Sequence, residues 1–443
     1  MAKFRFIHAA DIHLGSFLHI DGIEAHSKLQ ELSRTATYRA FDKICQVAVR
    51  SKSRFILIAG DLYDREARSV HANRYFVDTC KELQREKIQV LIIAGNHDPV
   101  KEHGEIFALP DNVHIFRSDI PEMIMVKGED GESIAVVCGQ SYKGSRENSP
   151  IHQQYPVPND GIFRIAMLHT QLESPKSKYV PATLSDLRSH PGFDYWALGH
   201  IHQPRILNEE GEPVVAYSGT PQGRDFGEQG PGGCWLVEVD DLKGIHMEYQ
   251  FTSPVIYHNL FVDIGCPELR DADNLDQLEE YLITKTQETL QEKTIQQGDE
   301  SFIEGYFIRW EIGGRGKLHH YLSDDSRGCE QEICQVLRDT LFSHTPFFWT
   351  DSVVLHTASP VGDVMSNHHP MLQELMDQVI LSLNEDSELR DELISNLGQA
   401  WTNNLDHEDQ DDESLALDQH TLESIVEDST YLILEGLAEG GED

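Results

Sequence analysis

Phe55-Ile-Leu-Ile-Ala-Gly60-Asp61 is an apolar run that stops on a glycine and an acid. A run of that length has the size of a strand buried on both faces, and its abrupt end places a carboxylate at the strand terminus. The construction recurs along the chain. Phe6-Ile-His-Ala-Ala precedes Asp11-Ile-His13, and Val90-Leu-Ile-Ile-Ala-Gly precedes Asn96-His97-Asp98. Arg164-Ile-Ala-Met-Leu precedes His169, and Tyr195-Trp-Ala-Leu-Gly precedes His200-Ile-His202.

Working outward from these runs, the spacing predicts strands over Phe4–Ala9, Phe55–Ala59, Val90–Ala94, Ile134–Cys138, Phe163–Leu168, Tyr195–Leu198 and Cys234–Val239. Amphipathic helices are predicted over Ser33–Lys52 and Val70–Glu86, and a Gly- and Pro-rich loop over Tyr217–Gly233. Strands alternating with helices make this an α/β domain, residues 1–255. A small α+β domain is expected over 256–359, with strands at Ile256–Ile264, Phe302–Ile312 and Ser352–His356 and helices at Asn274–Glu292 and Glu330–Leu341. Residues 360–443 form a third, acidic helical region, with apolar residues at helical spacing from Met371 to Leu397 and more weakly from Leu422 to Leu432.

Composition sets bounds on function. The 443 residues carry a formal charge of −39, which should repel a polyanion. Residues 360–443 hold 22 Asp and Glu and one base, Arg390, so more than half of that charge lies on the last fifth of the chain. Its plainest meaning is solubility or halophilic adaptation; partner docking is the alternative. The seven cysteines are scattered, never Cys-x-x-Cys, so neither a disulfide framework nor structural zinc is expected, which suits a reducing cytoplasm. No signal peptide is expected, and no apolar stretch approaches the roughly 18 residues that would span a bilayer.

The polar residues behind the strands are of metal-ligand type. In α/β folds such residues gather outside the carboxyl ends of strands. Neighbouring strands would bring all five motifs to one edge, with residues two apart in extended chain, Asp11/His13 and His200/His202, each facing a common centre. Singly, each motif has a plainer reading: Asp61 as a helix cap, Asn96-His97-Asp98 as a turn, a lone His169 as a satisfied core residue. Jointly they supply two Asp, one Asn and four His with His97 left over, too many for one tetrahedral ion but suited to two cations sharing a carboxylate. Two ions about 3.5–4 Å apart can support in-line displacement at phosphorus. Imidazole without thiolate favours manganese, with iron or zinc as alternatives.

Asp11-Ile-His13, Gly60-Asp61, Gly95-Asn96-His97-Asp98, His169 and Gly199-His200-Ile-His202 together resemble the calcineurin-like metallophosphoesterase superfamily. Within it, His8-Ala-Ala-Asp11-Ile-His13-Leu14-Gly15, Gly60-Asp61-Leu62-Tyr63-Asp64, His202-Gln203 and Tyr217-Ser-Gly-Thr-Pro221 resemble the SbcD- and YhaO-type DNA-repair exonucleases. The resemblance implies a four-layer fold of two packed mixed sheets flanked by helices, with a small capping domain. It implies that Asp11, His13 and His202 bind one metal and Asn96, His169 and His200 a second, with Asp61 bridging. His97 would be the catalytic histidine and Asp98 the residue orienting it. It further implies DNA as substrate and an ABC-type coiled-coil ATPase as partner, for which the amphipathic segments near 370–397 are docking candidates, with packing back on their own domain as the alternative, and leaves a homodimer open. Arg65, Arg68, Lys101, Lys143, Arg146 and Arg224 lie near the motifs and could contact phosphates. Alternative readings are a phosphomonoesterase or cyclic-nucleotide phosphodiesterase on the same fold, or a non-catalytic scaffold subunit.

Overall fold

A computed structural model describes residues 3–23, 26–64, 69–100, 107–157, 161–174, 177–208, 213–296 and 302–359, and beyond these only positions 378 and 382. Apart from those two positions, the helical segments expected near 370–397 and 422–432 therefore lie outside the described residues, as do Arg65, Arg68 and Lys101. The chain divides into two compact units. One comprises Met1–Phe261, Glu279–Glu311 and Gly328–Val354; the other comprises Val262–Leu278, Ile312–Arg327 and Leu355–Asp443.

Two mixed six-stranded sheets carry the first unit. In order of sequence the strands are β1 (Phe4–Ala9), β2 (Phe55–Ala59), β3 (Gln89–Ile93), β4 (Val113–Ile115), β5 (Glu122–Lys127) and β6 (Ser133–Gly139). They continue with β7 (Phe163–His169), β8 (Tyr195–Gly199), β9 (Arg205–Ile206), β10 (Val214–Tyr217), β11 (Gly233–Val239) and β12 (Ile245–Phe251). One sheet runs β12-β11-β1-β2-β3-β4, the other β5-β6-β7-β8-β10-β9. Within them β1, β2 and β3 are parallel neighbours, with Phe6 opposite Phe55 and Ile58 opposite Ile92, and β7 is parallel to β8.

The apolar runs are continuous because each strand is covered on both sides. Phe55, Leu57 and Ala59 point into the layer between the sheets, with Phe6, Leu91, Ile165, Met167, Tyr195 and Ala197. There Phe6 and Phe55 stack at 5.0 Å, and each fully buried ring contributes about 1.5–3 kcal/mol. The alternate residues Ile56 and Ile58 face Phe41, Ile44, Phe76 and Cys80 on α1 (Ser27–Arg50) and α2 (Val70–Arg85). Leu168, Trp196, Leu198 and Tyr217 bury the outer face of the second sheet, with Leu187 of α3 (Leu184–Ser189). The four-layer α/β architecture expected from the sequence is present.

The later elements are β13 (Val255–Asp263), α4 (Leu275–Gln296), β14 (Gly305–Arg315), α5 (His319–Asp324), α6 (Ser326–Leu341) and β15 (Phe347–Ala358). The three strands form one sheet, β13-β14-β15. Glu304 N–H bonds Pro254 C=O at one end and Ile264 N–H bonds Gly313 C=O at the other, which makes β13 and β14 parallel. In the first unit, Tyr257, Phe307, Phe347 and Trp349 of this sheet share a core with Leu29, Leu32 and Phe226. Among the described residues no helix is long and apolar enough to cross a membrane.

Candidate metal centre

The carboxyl ends of β1, β2 and β3 lie side by side in one sheet, and those of β7 and β8 side by side in the other. The site is thus built on an edge shared by two sheets. Backbone bonds run on beyond the strands: Asp11 N–H donates to Gly60 C=O (3.0 Å), His13 N–H to Asp61 C=O (3.1 Å) and Leu14 N–H to Leu62 C=O (2.8 Å). The chain is not extended there. Asp11 (φ 50°), His13 (46°), Asp61 (51°) and His200 (96°) adopt left-handed backbone, so each side chain is aimed by a local turn and not by strand alternation. Such conformations cost about 1–3 kcal/mol each and persist only where the surroundings hold them. Two glycines make room. A Cβ on Gly60 would fall on the His169 imidazole, and one on Gly95 on the Asp61 carboxylate.

Most of the predicted residues converge. Nitrogen and oxygen atoms of Asp11, His13 and His202 lie within 4.8 Å of one another, as do those of Asp11, Asp61 and His169. Asn96 Oδ1 stands 2.9 Å from His169 Nε2 and 3.2 Å from His200 Nδ1. The Asp11 carboxylate accepts the His200 backbone N–H at 3.1 Å, and Asp61 accepts that of His97 at 2.9 Å. Asp11, His13, Asp61, His169 and His200 are buried.

Electrostatics follow from that packing. Burial works to raise the Asp61 pKa, yet His169, with His97 and His13 nearby, holds it well below the usual carboxylate range. Burial likewise works to lower His169, but Asp61 and Asp11 lift it to about 9. Burial pushes Asp11 up to about 6 against the pull of His202 and His169. His200 is pushed down to about 3 by burial and by His169, and His13 falls well below its ordinary value by burial and the nearby Arg224. The centre therefore stabilises positive charge between its carboxylates and keeps two imidazoles neutral.

The donor set fits a bound cation. His169 Nδ1–H donates to Ala59 C=O at 2.9 Å, so its Nε2 turns to two oxygens, Asn96 Oδ1 and Asp61 Oδ2 at 3.3 Å. With no metal bound, a second proton on Nε2 meets those oxygens, in keeping with the raised pKa; a cation can take the place of that proton. Both ring nitrogens of His13 and Nε2 of His200 are buried with no hydrogen-bond partner, an expensive state for a polar atom that coordination would relieve. His202 Nδ1–H donates to Glu228 at 2.5 Å, leaving Nε2 3.9 Å from Asp11. A carboxylate behind an imidazole fixes the tautomer in which the far nitrogen is free to coordinate.

His97 lies at the rim of that set, partly exposed, with its ring 5.1 Å from His13 and a ring nitrogen within 4.8 Å of ligand atoms of His13 and Asp64. The carboxylate that holds it is not the expected one. Asp98 is buried and accepts the Leu62, Tyr63 and Gly95 backbone N–H groups, so it locks two loops together. Asp64 takes the orienting place, accepting His97 Nδ1–H at 3.2 Å. The His97 pKa is raised: burial lowers it, and the Asp64 bond and the Asp61 charge outweigh that.

The basic residues also differ from expectation. Arg224 is no free phosphate contact, since its guanidinium is committed to Asp64 (3.2 Å) and Glu228 (2.9 Å). Lys143 and Arg146 are exposed. Sequence reasoning passed over Asp64 and Glu228 as functional residues. The only sign of either was an acid at the end of Gly60-Asp61-Leu62-Tyr63-Asp64 and another within the glycine-rich loop before Gly233.

Comparison with known proteins follows the same residues. Residues 4–204 match the family of calcineurin-like phosphoesterases. The uncharacterized metallophosphoesterase YhaO of Bacillus subtilis (strain 168) is 36% identical over 264 residues, 58% of this chain and 63% of that protein. The DNA double-strand break repair protein Mre11 of Archaeoglobus fulgidus is 26% identical over 303 residues, 65% of each chain. Mre11 of Methanocaldococcus jannaschii is 29% identical over 267 residues, 55% of this chain and 66% of that protein. The chain thus spans less than two thirds of the length of these relatives.

Proposed function

Because residues 4–204 belong to the calcineurin-like metallophosphoesterases, we propose that the chain hydrolyses phosphodiester bonds of DNA as a two-metal-dependent exonuclease in DNA repair, together with an ABC-type coiled-coil ATPase. The observation that carries the chemistry is the convergence of Asp11, His13, Asp61, Asn96, His169, His200 and His202 around one acidic centre, with the partly exposed His97 at its rim beside His13 and Asp64. In this reading Asp11, His13 and His202 hold one divalent cation, Asn96, His169 and His200 the second, and Asp61 both. The cations, manganese by the donor chemistry, supply Lewis-acid polarisation of the phosphoryl oxygens and a water nucleophile at neutral pH. The protein's own part is positional. Asp61 and Asp11 set the charge of the centre, and Asp64 accepts the Nδ1–H of His97 and raises its pKa, so that the ring can carry a second proton on Nε2 and pass that one to the leaving oxygen.

The choice of DNA rests on the likeness to the Mre11 proteins, whose name gives double-strand break repair as their role. One observation favours a second reading, a small phosphoester substrate: the formal charge of −39 disfavours a polyanion. The two readings part in one experiment. The purified chain, with and without the product of a neighbouring ATPase gene, is given end-labelled duplex and single-stranded DNA in manganese or magnesium, and a chromogenic monoester in parallel. Shortening of labelled DNA is expected. Turnover of the monoester with DNA left intact would replace the nuclease reading with the second one.

A further inference from the structure

The Arg224 guanidinium lies between His97 and His202, linked to each through a carboxylate. Arg224 donates from Nη1 to Asp64 Oδ2 (3.2 Å) and from Nη2 to Glu228 Oε1 (2.9 Å), and its backbone N–H donates to Glu228 Oε2 (2.6 Å). Each of those carboxylates holds an imidazole: Asp64 accepts from His97, and Glu228 from His202. The result is an unbroken line, His97–Asp64–Arg224–Glu228–His202, whose middle three side chains are between 11% and 25% exposed.

The line is anchored from behind. The Arg224 carbonyl accepts both the His19 N–H and the Tyr257 hydroxyl at 2.8 Å. Phe226, two residues on, packs edge-to-face on Tyr257 at 4.9 Å and lies under the Arg309 guanidinium at 4.1 Å. The Arg224–Phe226 loop is thus tied to β13 and β14. A guanidinium is suited to the place, since its planar fork can bind two carboxylates at fixed angles, which an ammonium cannot.

We infer that Arg224 is a positioning residue that sets the His97 imidazole and the His202 ring in register with each other through Asp64 and Glu228. The inference rests on the two-metal phosphoesterase reading above and adds to it a residue that touches neither metal nor substrate. Its consequence is that both metal affinity and turnover depend on a side chain outside the ligand set.

The test uses the full chain, with manganese binding measured by titration calorimetry and turnover on bis(p-nitrophenyl) phosphate. R224Q should lose roughly 10–100-fold in manganese affinity and a comparable factor in kcat at saturating metal, with KM changed less than about twofold. E228Q should lose the same metal affinity, and R224Q/E228Q together no more than the worse single variant, because both act through one ring. D64N should lose kcat and keep metal affinity. Should R224Q fold poorly by thermal melting, R224K carries the test, with a smaller loss in the same two quantities. Wild-type manganese affinity in both Arg224 variants would overturn the inference, as would a rise in KM alone, the mark of a direct phosphate contact. A wild-type chain that bound no manganese would instead overturn the reading beneath it.

Discussion

His8 offers a quantitative test of how the site is held. Its Nε2 bonds Leu198 C=O at 3.0 Å and its Nδ1 meets the Tyr195 hydroxyl at 2.9 Å, so the ring joins β1 of one sheet to β8 of the other. The clamp lies three residues before Asp11 and two residues before His200. A carbonyl only accepts, so Nε2 carries the proton and Nδ1 accepts the Tyr195 O–H, which makes the folded ring neutral. Burial pushes its pKa down to about 3, the Leu198 bond opposing. A folded pKa below the unfolded one gives stability that is complete above about pH 6.5 and is lost as pH falls toward 3. Between pH 7 and pH 5 the unfolded chain takes up a proton that the folded chain refuses, a loss of about 2 kcal/mol. H8Q cannot titrate. At pH 7 it should be less stable by about 1–3 kcal/mol, for the impaired buried hydrogen bonds. That deficit should shrink by about 2 kcal/mol on reaching pH 5, since every other group titrates alike in the two proteins. Urea unfolding followed by tryptophan fluorescence at pH 7, 6 and 5, at constant ionic strength, measures the difference. Parallel stability curves would refute a neutral, proton-refusing His8.

Other consequences follow from the centre itself. H97A should lower kcat by about 10²–10⁴-fold while manganese binding stays within about twofold, whereas D61A should lose both, as turnover and calorimetry on the same samples will tell. G95A puts a methyl group on the Asp61 carboxylate and should weaken manganese by more than about tenfold; an unchanged affinity would mean that the loop yields freely. Manganese at 100 times its Kd should add about 2.7 kcal/mol of stability and raise the melting temperature by a few degrees, reversibly with a chelator. No shift would mean that the cluster does not bind the ion in the folded state.

The central strands were legible because burial on both faces leaves an uninterrupted apolar run. β1 and β2 have the bounds expected of them, and β3 is displaced by one residue. The strands that escaped notice are edges or short pieces. β12 reads Ile-His-Met-Glu-Tyr-Gln-Phe, half-buried or exposed throughout, and β9 has two residues. Such segments have too little burial to be written as apolar runs. The ligand residues were legible for a similar reason, since an acid or imidazole at the end of a buried run is conspicuous. Asp64 and Glu228 were not. Glu228 reaches His202 across 26 residues of chain and Asp64 reaches His97 across 33, and neither pairing leaves a mark in local spacing. Asp98, which the resemblance implied would orient His97, instead accepts the Leu62, Tyr63 and Gly95 backbone N–H groups, and local spacing gives no sign of that.

Left-handed backbone at Asp11, His13, Asp61 and His200 explains why the motifs take the form they do. Asp and Asn tolerate that region better than most residues and His is also enriched there, so several of the ligating side chains are also among those least penalised by the turn that aims them. The turns are then over-determined. Continuation of the β1–β2 backbone bonds past the strand ends fixes Asp11 and His13 against Gly60 and Asp61. The Asp11 carboxylate fixes the His200 backbone, and Thr220 Oγ1–H fixes the Asp11 carbonyl at 2.9 Å. The strain is therefore borne by a scaffold of backbone and side-chain bonds that aims the ligand side chains at one centre.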